Sequence, residues 1–145
     1  MGEIAATAQI PAPPERVWDV ITTLSTYDQW LTIHTRWKDD VPERYSQGAS
    51  AAEVVTMLGM PNTITWTVEE FEEPSRFAIS GTGMAGVKVR FDFAVESDGN
   101  GGAQASVGAQ FEGQMITGAL GKAVEKDGLA NLEQSLANLS ALVSG

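Results

Sequence analysis

The only histidine, His34, stands in Trp30-Leu31-Thr32-Ile33-His34-Thr35-Arg36-Trp37, and imidazole is the side chain best suited to moving a proton near neutral pH. A general base also needs an orienting carboxylate and a substrate within reach, and no neighbour in the sequence pairs His34 with either. A hydrogen-bonding or surface histidine is the simpler expectation, with His34 and Tyr27 kept as the candidate proton-moving residues. With one histidine and no cysteine, thiol chemistry and disulfides are excluded and a transition-metal site is not expected. No cofactor is expected either. Glu69-Glu70-Phe71-Glu72-Glu73 offers clustered carboxylates, but in a period-two strand they face opposite ways, and the twelve-residue calcium-loop spacing is absent. A solvated strand edge or hairpin end is expected there. The glycine-rich stretch from Gly81 to Gly86 lacks the Lys-Ser/Thr of a nucleotide loop and precedes a strand rather than a helix. It is read as a turn. Arg36, Glu53 and Arg90 lie in strand-like segments, where a register error of one residue exchanges an inward side chain for a solvated one; Arg16 is expected on a helix surface.

Elements that position such groups follow from periodicity. Residues 3–10 alternate as a strand and stop at Pro11-Ala12-Pro13-Pro14. Proline fits a helix start, so a helix is predicted over 14–22 with Val17, Trp18 and Ile21 on one face. A second short helix is expected over 26–31, with Ser25 as N-cap and Trp30 as anchor. Period-two segments follow: a weak strand over 35–39, a stronger one over 51–58, then Ile64, Trp66 and Val68 alternating with polar residues. Phe77 and Ile79 come next, then Val87, Val89, Phe91, Phe93 and Val95. Asp98-Gly99-Asn100-Gly101-Gly102 supplies a hairpin, beyond which Ala103, Ala105, Val107, Ala109 and Phe111 alternate. A helical period then runs from Ile116 through Leu120, Val124, Leu132 and Leu139, predicting a helix over 115–143 that is roughly 40 Å long. The order implies an α+β helix-grip fold: a curved seven-stranded antiparallel sheet wrapped around a long C-terminal helix, with two short helices after the first strand.

The chain has 145 residues, the size of one domain, and residues 1–145 are read as such. Nine basic against nineteen acidic residues give a net charge of −10, which repels phosphate backbones and anionic headgroups. Neither nucleic acid nor membrane insertion is expected. The start, Met1-Gly2-Glu3-Ile4-Ala5-Ala6, lacks a secretory pattern, and Ala6 stands where myristoylation requires Ser or Thr. A cytoplasmic location is the expectation.

Ile10-Pro11-Ala12-Pro13-Pro14-Glu15-Arg16-Val17-Trp18, followed by Tyr27 and Trp30, resembles the opening signature of the polyketide cyclase/dehydrase-like group of the START-related (SRPBCC) superfamily. The stretch from Gly81 to Val89 is similar to actinobacterial members described as ligand-binding proteins or as toxins of toxin–antitoxin pairs. The resemblance implies an apolar cavity between sheet and long helix. Ala103, Ala105 and Ala109 on the last strand, with Ala119 and Ala123 on the helix, are read as leaving room for it. Gly118, Gly121 and Gly128 each cost roughly 1 kcal/mol relative to Ala within a helix, so the N-terminal half is expected to be the looser one and to carry a portal. The candidate ligand-binding set is Trp30, Met57, Met60, Trp66, Phe77, Met84, Phe91, Phe111, Met115, Ala119 and Leu120, in which methionines supply adaptable apolar surface. Three roles stay open: binding a small hydrophobic molecule such as a lipid, polyketide or aromatic metabolite; cyclase/dehydrase chemistry in the same cavity; or a toxin-like or co-chaperone-like interaction module.

Overall fold

Proline both ends the first strand and opens the first helix. Pro11 follows β1 (Gly2–Ile10), and Pro14 begins α1 (Pro14–Thr22), where its missing N–H costs no helical hydrogen bond. In the computed structural model, which describes residues 2–38, 40–83, 86–113 and 118–144, Val17, Trp18 and Ile21 are buried on one face of α1. The second expected helix is divided into a 3-10 turn (Leu24–Thr26) and the single turn α2 (Tyr27–Trp30). Ser25 is not its cap. Thr26 takes the N-cap position, and its hydroxyl bonds back to the carbonyls of Val20 at 2.8 Å and Thr23 at 2.7 Å.

Six strands follow: β2 (His34–Lys38), β3 (Ser50–Met57), β4 (Met60–Glu72), β5 (Arg76–Thr82), β6 (Lys88–Ser97) and β7 (Ala103–Glu112). All pairs are antiparallel in the order β1-β7-β6-β5-β4-β3-β2, so successive hairpins build the sheet and β1 closes back beside β7. Alternation sorts the faces: Val89, Phe91, Phe93 and Val95 are buried, as are Ala103, Ala105, Val107, Ala109 and Phe111.

The long helix α3 (Gly118–Ser144) has 27 residues and extends roughly 40 Å. Val124, Gly128, Leu132, Leu136, Leu139 and Val143 recur every three or four positions and face the sheet. At Gly128 a Cβ would sit 2.7 Å from Ile4 Cδ1, so the helix approaches β1 to a separation that only glycine permits without movement. The three alanines of β7 do not create the cavity the sequence suggested. They are buried, and none of the three is among the residues that line the open volume. At the far end of α3, Arg16 donates from Nε to the carbonyl of Val143 at 2.6 Å, satisfying one of the carbonyls a helix terminus leaves open.

The outer sheet face is polar. Glu70 joins Arg76 at 2.8 Å and Arg90 at 2.7 Å, Arg76 also pairs with Glu72, and Arg90 also meets Asp92 at 3.1 Å. Hydrogen bonds from Arg90 and then Arg76 hold the Glu70 carboxyl below the usual range. The glutamates of β4 thus meet arginines across neighbouring strands, and Arg90 points outward while Arg36 is exposed. Among the described residues no helix is long and apolar enough to cross a membrane.

Candidate functional site

The β3–β4 hairpin turns through Leu58 and Gly59, both at positive φ (52° and 75°), with Met57 opposite Met60. This tight turn fixes the register that aims Val55 and Met57 of β3, and Asn62, Ile64 and Trp66 of β4, at the concave face. Across the sheet, Val89 and Phe91 of β6 and Phe111 of β7 face the same space, and Leu120 and Val124 of α3 close it from above. Together with Ile33, Leu58, Met60 and Val87, they enclose a cavity of about 190 Å³. Leu58, Met60 and Leu120 are 41%, 54% and 38% exposed, which places them at its mouth. A void of about 10 Å³ shares Ile33, Met57, Phe91 and Phe111 with it and extends toward Gly128 and Leu132.

Six residues read from the sequence therefore meet on one wall: Met57, Met60, Trp66, Phe91, Phe111 and Leu120. Trp30 and Phe77 are placed elsewhere. Trp30 packs edge-on against Tyr27 at 4.9 Å and donates from Nε1 to Thr26 Oγ1 at 3.1 Å. Phe77 stacks on Phe93 at 4.7 Å and meets Trp18 edge-on at 5.6 Å. Both belong to the aromatic cluster beneath α1 and α2, so burial and aromatic type alone misassigned them to the cavity. Ala119 is exposed, one helical step from the inward stripe, and Met84 and Met115 lie outside the described residues. Ile33, Val55, Leu58, Asn62, Ile64, Val87, Val89 and Val124 were missed. The alternation of β4 and β6 already carried the signal for Ile64 and Val89.

Behind the cavity wall lies a polar group hidden from sequence inspection. Trp66 Nε1–H donates to Glu53 Oε1 at 2.8 Å, and the other carboxylate oxygen accepts from His34 Nδ1. The side chains of His34 and Glu53 are each 3% exposed. The indole that forms cavity wall is thus anchored by a buried carboxylate, which is in turn held by the histidine. β2 carries a bulge just after the histidine, between His34 and Arg36. His34 pairs with Val55 and Trp37 with Glu53, so two residues three apart both face inward, which a regular strand forbids. The carboxylate partner for His34 is therefore present, 19 residues away.

Tyr27 does not reach the cavity. Its hydroxyl donates to the carbonyl of Ile21 at 2.6 Å, and its ring lies 6.2 Å from that of His34. Burial, then the neighbouring Tyr45 and Glu53, push the Tyr27 hydroxyl well above the usual tyrosine range; burial and Glu53 do the same to Tyr45.

The family described as polyketide cyclase/dehydrase and lipid transport matches residues 1–144. The protein named toxin Rv0910 of Mycobacterium tuberculosis is 30% identical over 145 residues, covering 100% of both chains. A START superfamily protein from Mycobacterium smegmatis superposes with a TM-score of 0.81 at 16% identity, covering 99% of this chain and 98% of the other. The Zhui aromatase/cyclase from a Streptomyces species gives 0.79 at 16% identity, covering 98% and 93%. At these identities the two solved structures establish the shared helix-grip fold.

Proposed function

Because the chain belongs to the polyketide cyclase/dehydrase and lipid transport family, we propose that it holds a small, neutral, largely apolar molecule between the sheet and α3. The carrying observation is the cavity of about 190 Å³, walled almost wholly by aliphatic, methionine and aromatic side chains. An engineered apolar cavity of about 150 Å³ takes up benzene, so this one suits a body of one or two fused rings or a short branched chain. Longer lipids or polyketides would extend through the mouth at Leu58, Met60 and Leu120. Burying about 200 Å² of ligand at about 25 cal/mol per Å² favours binding by roughly 5 kcal/mol before association costs.

Two observations support holding over conversion. The Tyr27 hydroxyl is committed to a backbone carbonyl, and the His34–Glu53 pair sits behind the Trp66 ring rather than on the wall. Native mass spectrometry of freshly purified protein, followed by solvent extraction, tests the reading. A retained extractable compound, or one-to-one uptake of an added apolar probe, is expected. A protein that carries nothing and takes up no probe contradicts it.

A second reading, toxin-like action, rests on the 30% identity to a protein named as a toxin. Induced expression in a mycobacterial host tests it: growth arrest supports the reading, and unchanged growth at full expression contradicts it.

A further inference from the structure

We propose that the cavity has an inner half: Met57 is a movable partition, and the recess behind it, beneath Gly128 of α3, takes an unbranched apolar tail. The preferred ligand is then a compact apolar head carrying a short straight chain. This rests on the binding reading above and specifies its ligand class.

The open cavity and the void of about 10 Å³ are divided by four shared side chains, those of Ile33, Met57, Phe91 and Phe111. Rings and a β-branched side chain have few ways to turn, and Phe91 is further held between Trp66 at 5.4 Å and Phe93 at 6.0 Å. Met57 is unbranched and ends in a thioether that adapts to what it meets. It is only half-buried and ends β3 beside the exposed Leu58, so it has room to swing toward the mouth.

Gly128 keeps the far side open. A Cβ there would stand 2.7 Å from Ile4 Cδ1, 3.5 Å from Met57 Cε and 3.6 Å from Phe111 Cζ, all side chains that border the recess. Only the tip of Ile4 stands in the way of alanine, so packing alone is a weak reason for glycine within a 27-residue helix, where it is the poorer helix former. A methyl group at this position would, however, occupy the recess and press Ile4 into it.

Polar groups at the deep end are already bonded within the protein. Ser135 Oγ accepts from the backbone N–H of Thr32 at 3.0 Å, and Asn131 Nδ2 donates to the carbonyl of Asp127 at 2.8 Å while its Oδ1 accepts from Thr32 Oγ1. A hydrocarbon end therefore fits there better than a polar one. A branched tail meets the rings of Phe91 and Phe111 instead, and chains longer than the recess leave by the mouth.

The test measures binding of 4-ethylphenol, 4-propylphenol, 4-butylphenol and 4-tert-butylphenol by isothermal titration to wild type, Gly128→Ala and Met57→Ile. Wild type is expected to gain about fourfold per added carbon, roughly sixteenfold from ethyl to butyl, with 4-tert-butylphenol at least tenfold weaker than 4-butylphenol. Gly128→Ala should bind 4-ethylphenol as wild type does but lose the gain from ethyl to butyl. Met57→Ile replaces the partition by a side chain stiff at χ1 and should flatten the same series whatever its effect on the first member, an independent check should Gly128→Ala fold poorly. A flat series in wild type, equal binding of the straight and branched butyl probes, or a gain that survives both substitutions overturns the inner recess while leaving the open cavity standing. If wild type binds none of the four probes, the binding reading fails and this inference falls with it.

Discussion

Replacing Glu53 by leucine should be among the most damaging single changes outside the aliphatic core. The carboxylate receives Trp66 Nε1–H on one oxygen and His34 Nδ1 on the other, within a site that is nearly closed to solvent. Leucine removes both acceptors and leaves two buried donors unpaired, each costing about 1–3 kcal/mol. The sum is roughly 2–6 kcal/mol. Against a total stability of about 5–15 kcal/mol, a loss near 4 kcal/mol lowers Tm by about 8–16 °C in a chain of this length. Glutamine should fall between the two, because its carbonyl can still serve Trp66 while its amide faces a histidine nitrogen able to accept in the other tautomer. The triple variant His34→Leu, Glu53→Leu, Trp66→Phe removes the donors together with the acceptor and should recover most of the loss. Urea unfolding followed by circular dichroism, with calorimetric Tm, provides the readout. A Glu53→Leu protein melting within 2–3 °C of wild type, or a triple variant no more stable than the single, would refute the anchoring role.

Other outcomes follow from the same packing. Tyr27 and Tyr45 are the only tyrosines, and burial raises both hydroxyls above the ordinary value of 10.0. A raised folded-state pKa gives stability that is complete below the unfolded value and lost as pH rises through the folded one. Tyrosinate absorbance should therefore stay absent at about pH 10 and appear together with loss of circular dichroism; smooth titration near pH 10 in folded protein would contradict this. Gly128→Leu places bulk against Ile4, Met57 and Phe111 and should destabilise by about 1–3 kcal/mol in urea, and an unchanged midpoint would count against close helix–sheet contact there. Exchanging Glu70 for Gln should cost little, and less still at high salt, because its pairs with Arg76 and Arg90 are solvent-exposed; a large salt-independent loss would show that the outer-face network matters more than its exposure implies.

The fold was legible because its signals are redundant. Proline placed the end of β1 and the start of α1, alternation marked β4, β6 and β7, and the return of a three-to-four-residue period marked α3. The site was legible only where a residue's own strand pattern sufficed, as at Trp66, Phe91 and Phe111. Trp30 and Phe77 carry the same local pattern but sit under α1 and α2, and which part of a sheet a short helix covers is a tertiary fact. The alanines of β7 misled for a related reason: small side chains signal either a void or close packing, and here they are buried without lining the cavity. The His34–Glu53 pair was hidden because its members lie on different strands, 19 residues apart, and only the β2–β3 register brings them together. Its one trace in the sequence is a lone carboxylate within the otherwise apolar run Ala51-Ala52-Glu53-Val54-Val55.

The central claim is that the space between β3, β4, β6 and the first half of α3 is where an apolar ligand resides. Val124→Phe tests it most directly, since Val124 projects from α3 onto the cavity wall and a ring there fills the volume without removing a polar contact. Titration of 2-naphthol, followed by calorimetry and by the fluorescence of Trp66 in a variant whose other tryptophans are phenylalanine, should show one-to-one binding to the parent. Val124→Phe should bind at least tenfold more weakly with Tm unchanged or raised. Equal affinity in the two proteins, or binding that leaves the Trp66 signal unmoved, would contradict the account.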